Sequence, residues 1–244
     1  MRFLILFISM VVLLPCSSFA ATILDATALI ADNKYDEERN LLVEIDSPCS
    51  KYYLGRLEYY GLGQKSNVNS AIDKLIESSK DGCIDSVHFI LDEVVGSEDE
   101  SKISKPDLNM LLSALQQKAD AGDTKSAVYM ALVNSVDKYG RKNYNNAYRY
   151  FSKAALEGDG KGQYGLYMCF SLGLGVEKNI ENAQYWLGMA MQNNIAQATY
   201  IQAYNYEHGY IVDRDIDKAI ELYEKASVLG VDEAKKDLER LRVK

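Results

Sequence analysis

The chain's two histidines, His88 and His208, must carry any imidazole chemistry it performs, and they stand 120 residues apart. His88 and Asp92 have the i, i+4 spacing that places two ligands on one helical face, but a tetrahedral metal site takes four. A surface His–Asp pair is the alternative reading. No Ser–His–Asp set and no strained nucleophile turn occurs. Gly173-Leu174-Gly175 lies between two helical patterns, whereas a phosphate cradle follows a strand and opens a helix. No cofactor and no metal site is implied, and no titratable group has a visible catalytic partner, so the chain is expected not to be an enzyme.

Thiols are the remaining reactive groups. Cys49, Cys83 and Cys169 follow an N-terminal segment that itself holds Cys16. That segment, residues 1–20, has Arg2 as a positive flank, an apolar centre from Phe3 to Leu14, and Ser18-Phe19-Ala20 as a small-x-small cleavage site. Cleavage is expected between Ala20 and Ala21, releasing a periplasmic or secreted protein, because the apolar run is short for a membrane span. A lipid anchor on Cys16 is the alternative, which Pro15 fits poorly. In an oxidising compartment a Cys49–Cys83 disulfide is chemically reasonable. It would stabilise the fold by roughly 3–4 kcal/mol through loop closure. Two separate buried thiols are the other possibility. Cys169 falls mid-helix and reads as a small buried hydrophobe.

Charge narrows the partner. The chain carries 27 basic and 35 acidic residues. Losing Arg2 leaves 26 against 35, a net charge of −9. Nucleic acid and anionic membrane need clustered Lys and Arg, and no basic stripe is present. An acidic surface suits steering toward a basic protein.

These residues are positioned by a repeat. Gly82, Gly122, Gly158, Asn194 and Gly230 each end a helical pattern, at spacings of 40, 36, 36 and 36 residues. Gly and Asn enter the left-handed conformation most cheaply after a helix. Asn67, Asn143, Asn179 and Asp215 stand 15 residues before four of these terminators, and each is a good helix N-cap. Four residues after each comes Ala71, Ala147, Ala183 or Ala219. A first helix in every unit carries a matching small residue: Ser50, Ser86, Ser126, Gly162 or Ala198. Gly-x-Gly turns join the two helices at 61–63 and 173–175, and Gly209-Tyr210-Ile211 keeps only the first glycine. Caps, small residues and terminators in one register mean stacked helical hairpins.

Asp215-Ile216-Asp217-Lys218-Ala219, Lys153-Ala154-Ala155-Leu156-Glu157-Gly158 and the Gly-x-Gly turns resemble the Sel-one-like repeat family, a tetratricopeptide-like group of α-solenoids. The resemblance covers about residues 46–230 and implies an all-α, right-handed solenoid of about five hairpins (46–81, 82–121, 122–157, 158–193, 194–229). An N-terminal capping hairpin at 21–45 and a C-terminal capping helix at 231–244 would close its ends. The 82–121 copy lacks the glycine turn and carries four extra residues near 96–101, read as a solvated acidic loop, with Pro106 at the next helix start. Trp186 matches the family's buried aromatic of the second helix.

The resemblance also implies that first helices line a concave face. Carried across by register, that face holds Tyr52, Arg56, Tyr59, Tyr60, His88, Asp92, Val128, Leu132, Tyr164, Met168, Leu172, Tyr200, Tyr204 and His208. Tyrosine provides large contact area at low entropy cost. The competing reading puts several of these rings in the core between repeats. The expected function is a non-catalytic, exported scaffold that binds a protein along a tyrosine-rich groove. An immunity-type inhibitor of an envelope-acting toxin or lipase is a second reading. A β-lactam-related enzyme is a third, disfavoured because the cysteine-rich relatives linked to that chemistry carry a cysteine pair in each repeat.

Overall fold

The computed structural model describes residues 34–45 and 47–242. The expected leader, its cleavage point at Ala20–Ala21 and the first half of the capping hairpin lie outside the described residues. Helices and turns make up the described chain: α1 (Tyr35–Ile45), α2 (Pro48–Tyr60), α3 (Val68–Lys80), α4 (Ile84–Phe89), α5 (Lys105–Asp120), α6 (Thr124–Ser135), α7 (Tyr144–Leu156), α8 (Gly160–Leu172), α9 (Ile180–Gln192), α10 (Ala196–His208), α11 (Ile216–Val228) and α12 (Asp232–Arg242). Two compact units divide it, one ending at Ala114 and the other beginning at Leu115.

The periodic residues act locally as their types dictate. Asn67, Asn143, Asn179 and Asp215 each accept a hydrogen bond from the backbone N–H three residues on, opening α3, α7, α9 and α11. Gly82, Gly122, Gly158, Asn194 and Gly230 all have positive φ. Ala71, Ala147, Ala183 and Ala219 are buried, and so are Ser50, Ser86, Ser126, Gly162 and Ala198. A side chain on Gly162 would run into the backbone of Ala154 and Ala155, which shows how closely α7 and α8 approach.

In the first unit α2 packs on α1, α3 and α4, and α3 packs on α4. α4 ends after six residues and continues as a π-turn, Ile90–Val94, then a 3-10 turn, Glu98–Lys102. The four additional residues of this copy are therefore not a loose loop. The 3-10 turn is tied down by the Gly96 N–H, which donates to Glu100, and by Tyr59, which donates to Asp99 Oδ2 at 3.2 Å. Pro106 lies in the first turn of α5, where it costs no helical bond.

In the second unit successive helices pack in chain order from α6 to α12, and α6 also meets α8. Ala234 and Leu238 of α12 are buried, and Leu241 packs beside them. Trp186 is half-buried and edge-on to the exposed Tyr185, so it is not the fully enclosed core residue expected.

Candidate functional site

The first helices repeat in register, so their faces can be compared row by row. Tyr52, His88, Val128, Tyr164 and Tyr200 form one row, and all are buried or half-buried. One turn further, Asp92, Leu132 and Tyr204 are exposed, while Arg56 and Met168 are half-buried. One more turn brings Tyr60 and Leu172, both exposed. The open face thus lies one helical turn beyond the tyrosine row.

Two expected groove residues are displaced by this. His88 is only 2% exposed and points into the interior of the first unit, 3.9 Å from the Asp85 carboxylate. The same register position is buried or half-buried in the other first helices, so its burial follows the repeat. Asp92 remains exposed within the π-turn, so the two are not paired on one outer face. Tyr200 is also committed to the fold. Its hydroxyl donates to Asp237 Oδ2 at 3.0 Å, and its ring meets Tyr223. Burial, assisted by Asp237, pushes its phenol up to about 12.

In the first unit, Tyr52, Tyr53 and Phe89 surround Arg56, whose guanidinium carbon stands 5.5–6.0 Å from the three ring centres. Tyr59 and Tyr60 meet Phe89 edge-on at 5.5 and 5.8 Å. Most of this aromatic surface already has an occupant, Arg56, and Tyr59 is engaged by Asp99.

The second unit is different. Val128 and Leu132 of α6 face Tyr164 and Met168 of α8 across a cleft of about 650 Å³, with Phe151 of α7 among its lining. Gly165 allows this, since any side chain there would overlap the Phe151 ring. Cys169, buried in the same wall, has its thiol pushed up to about 11 by burial, consistent with an inert hydrophobe. Lys161 is the charged residue in the lining. Ile195 lines the cleft as well. It stands where Asp123 and Asp159 cap the earlier first helices, and it makes no side-chain cap. A capping position has become part of an apolar wall. At α10, Tyr204 stacks on His208 at 4.1 Å, and His208 on Tyr210 at 5.5 Å, leaving an exposed aromatic stack.

Among the described residues no three His, Cys, Asp or Glu side chains converge as metal ligands. Nor is any described helix long and apolar enough to cross a membrane. The Sel1 repeat profile matches residues 50–73, 126–159, 161–195 and 191–231.

The chain belongs to the Sel1 repeat family.

The stretch between the first two matches contains the copy broken by the π- and 3-10 turns. A Sel1 repeat protein from Oxalobacter formigenes superposes with a TM-score of 0.76 at 21% identity, over 90% of this chain and 89% of that one. A protective antigen of uropathogenic Escherichia coli with an SLR fold gives 0.66 at 19% identity, over 85% and 44%. At such identities the likeness establishes the solenoid fold alone. Among curated relatives, DAP3-binding cell death enhancer 1 of Rattus norvegicus is 30% identical over 107 residues, 43% of this chain. Chitin synthase regulator SKT5 of Saccharomyces cerevisiae is 26% identical over 190 residues, 74% of this chain. The chain spans 21% and 27% of the length of these two relatives.

Sequence reasoning missed one further feature. Glu207, buried under α12, accepts two hydrogen bonds from Arg240, at 2.6 and 2.8 Å, and one from the Tyr223 hydroxyl at 2.9 Å. Arg240 therefore holds the terminal helix in place through Glu207, a role that its position in the last turn did not suggest. At that register position the other copies have Tyr59, Val95, Ser135 and Ser171, so Glu207 is the only acidic residue in the row.

Proposed function

We propose that this Sel1 repeat chain is an exported, non-catalytic scaffold that holds a protein partner by an apolar side chain inserted into the cleft of the second unit. The observation that carries this reading is the cleft itself, an unfilled apolar space between Val128, Leu132, Tyr164 and Met168. Leu132 is 49% exposed, with Ser135 as the polar neighbour on its helix in that wall. Binding energy concentrates where such pockets accept one large apolar anchor. Tyr164 adds a rigid ring, and Met168 adapts to the shape of what enters. The exposed Tyr204–His208–Tyr210 stack offers a second contact in the same unit, and Tyr60 a minor one in the first.

The names of the two curated relatives, one a binder and the other a regulator of another protein, support an adaptor role. Net acidity favours a basic partner, through faster encounter more than through affinity. Export rests on the leader pattern of residues 1–20, and the mature protein should begin at Ala21.

Leu132→Arg combined with Met168→Arg tests the cleft. Photo-crosslinking from position 164 in envelope extract should yield discrete products with the wild type and lose them in the double variant. Far-ultraviolet helicity should be unchanged. Equal crosslinking by the variant would remove the cleft from the binding surface.

A further inference from the structure

Five first helices begin at equivalent register positions, and the residue at each start is Ser47, Cys83, Asp123, Asp159 or Ile195. Ser47, Asp123 and Asp159 each accept the expected capping bond from a backbone N–H. Cys83 makes none. Its thiol lies instead beside the thiol of Cys49, the second residue of α2, close enough for each to act on the other.

The surrounding bonds hold these two positions together. Ser78 of α3 donates its hydroxyl to the Pro48 carbonyl at 2.5 Å, next to Cys49. The Ser78 carbonyl accepts the Cys83 N–H at 3.0 Å, and the Ser78 hydroxyl accepts from Ser86 at 2.7 Å. One buried serine therefore clamps the starts of α2 and α4 to the end of α3. Both sulfurs are carried on backbone whose separation is already set. Cys83 is buried and Cys49 half-buried, so a small reagent reaches the pair through Cys49.

We infer that Cys49 and Cys83 form a redox-sensitive disulfide that staples α2 to α4 within the first unit. Both are free thiols in this structure. The reaction is thiol–disulfide exchange with a small-molecule disulfide such as oxidised glutathione. Cys49 loses its proton, attacks one sulfur of the reagent and expels one glutathione thiolate. Cys83, held against it, loses its proton and attacks Cys49 Sγ, expelling the second. The protein gives up two electrons and two protons, and the reagent leaves as two thiols. The neighbouring Cys49 sulfur favours the Cys83 thiolate, against the burial of Cys83. Cys169 lies in the other unit with no thiol beside it among the described residues, and takes no part.

The test is intact-mass analysis of the full chain, treated with oxidised glutathione and alkylated under denaturing conditions. Alkylatable thiols should fall by two, and a peptide map should show one cross-link, Cys49 to Cys83. Cys169→Ser should leave the cross-link intact, whereas Cys49→Ser and Cys83→Ser should each abolish it. The oxidised protein should melt roughly 5 °C or more above the reduced one. An unchanged thiol count in the wild type would overturn the inference. So would a stable glutathione adduct at Cys49 without the cross-link. Neither outcome depends on whether any variant folds.

Discussion

The two units of this chain use the same repeat to opposite ends. In the first, the register is interrupted, and the space that a regular copy would leave open is filled from within. Arg56 occupies the ring of Tyr52, Tyr53 and Phe89, Tyr59 is tied to Asp99, and His88 turns inside. In the second, the helices keep their spacing, and the apolar cleft between α6 and α8 stays empty. The regular unit keeps an open cleft between its first helices, whereas in the first unit Arg56 and the Asp99 turn occupy the aromatic face.

Two buried glutamates make the same contrast in electrostatic form. Glu38 of α1 is fully buried, and among the described residues neither of its oxygens has a hydrogen-bond partner. Burial pushes its carboxyl up to about 7, against the pull of Arg56 and Arg39. Glu207 is also buried, but the hydrogen bonds from Arg240, helped by that from Tyr223, hold its carboxyl below the usual range. Burial without partners raises a carboxyl; burial with three donors lowers it.

The largest expected effect breaks the regular unit. A methyl at Gly175 would overlap the Tyr144 carbonyl, and Gly175 has φ +72°. Gly175→Ala should cost roughly 3 kcal/mol or more, since both strain and backbone displacement are required. Gly63→Ala, the matching change in the first unit, meets the side chain of Tyr35 on the terminal helix α1, which can shift. Chemical denaturation should show the smaller loss there, and equal losses would break the comparison.

Next comes the terminal staple. Arg240→Ala leaves Glu207 buried with its charge and one donor, and should destabilise α12 by about 2 kcal/mol at pH 7. Because the Glu207 carboxyl is lowered, its stabilisation is complete above the ordinary carboxylate range and is lost as the pH falls through the lowered value. The difference between wild type and variant in thermal melting should therefore shrink on acidification.

Glu38 should behave with the opposite sign. Its raised carboxyl carries no penalty below about pH 4, where it is protonated in both states, and its full penalty above about pH 7. The first unit should lose up to about 3 kcal/mol between those limits. Glu38→Gln should remove that slope, as read by native-state hydrogen exchange in α1 and α2. A slope that persists in the variant would assign the effect to another group.

The smallest effect is a gain. Ile211 has φ +66° where the other two complete turns place Gly63 and Gly175. A β-branched residue in the left-handed region is strained, and Ile211→Gly should stabilise the second unit by about 1 kcal/mol. A loss of stability would show that its exposed side chain contributes more than the strain costs.

Much of this fold was legible because its signals are local. A cap asparagine, a terminating glycine and a small residue at a close approach each act within a few residues, and at 36-residue spacing they announce one another. The positions of Asn143, Gly158 and Gly162 needed no coordinates. The candidate site was legible only in part, since register assigns a helix face to within about one turn and the open row proved to be the one after Tyr164.

By itself the sequence determined the hairpin repeat, its helix boundaries and its small-residue contacts, since backbone geometry and local capping dictate those. Only tertiary packing decided that His88 lies inside, that Tyr200 joins the core, that Glu207 meets Arg240 and that Cys83 faces Cys49. Those outcomes depend on distances between helices that are remote in sequence, and an ångström of approach separates a buried pair from an open cleft.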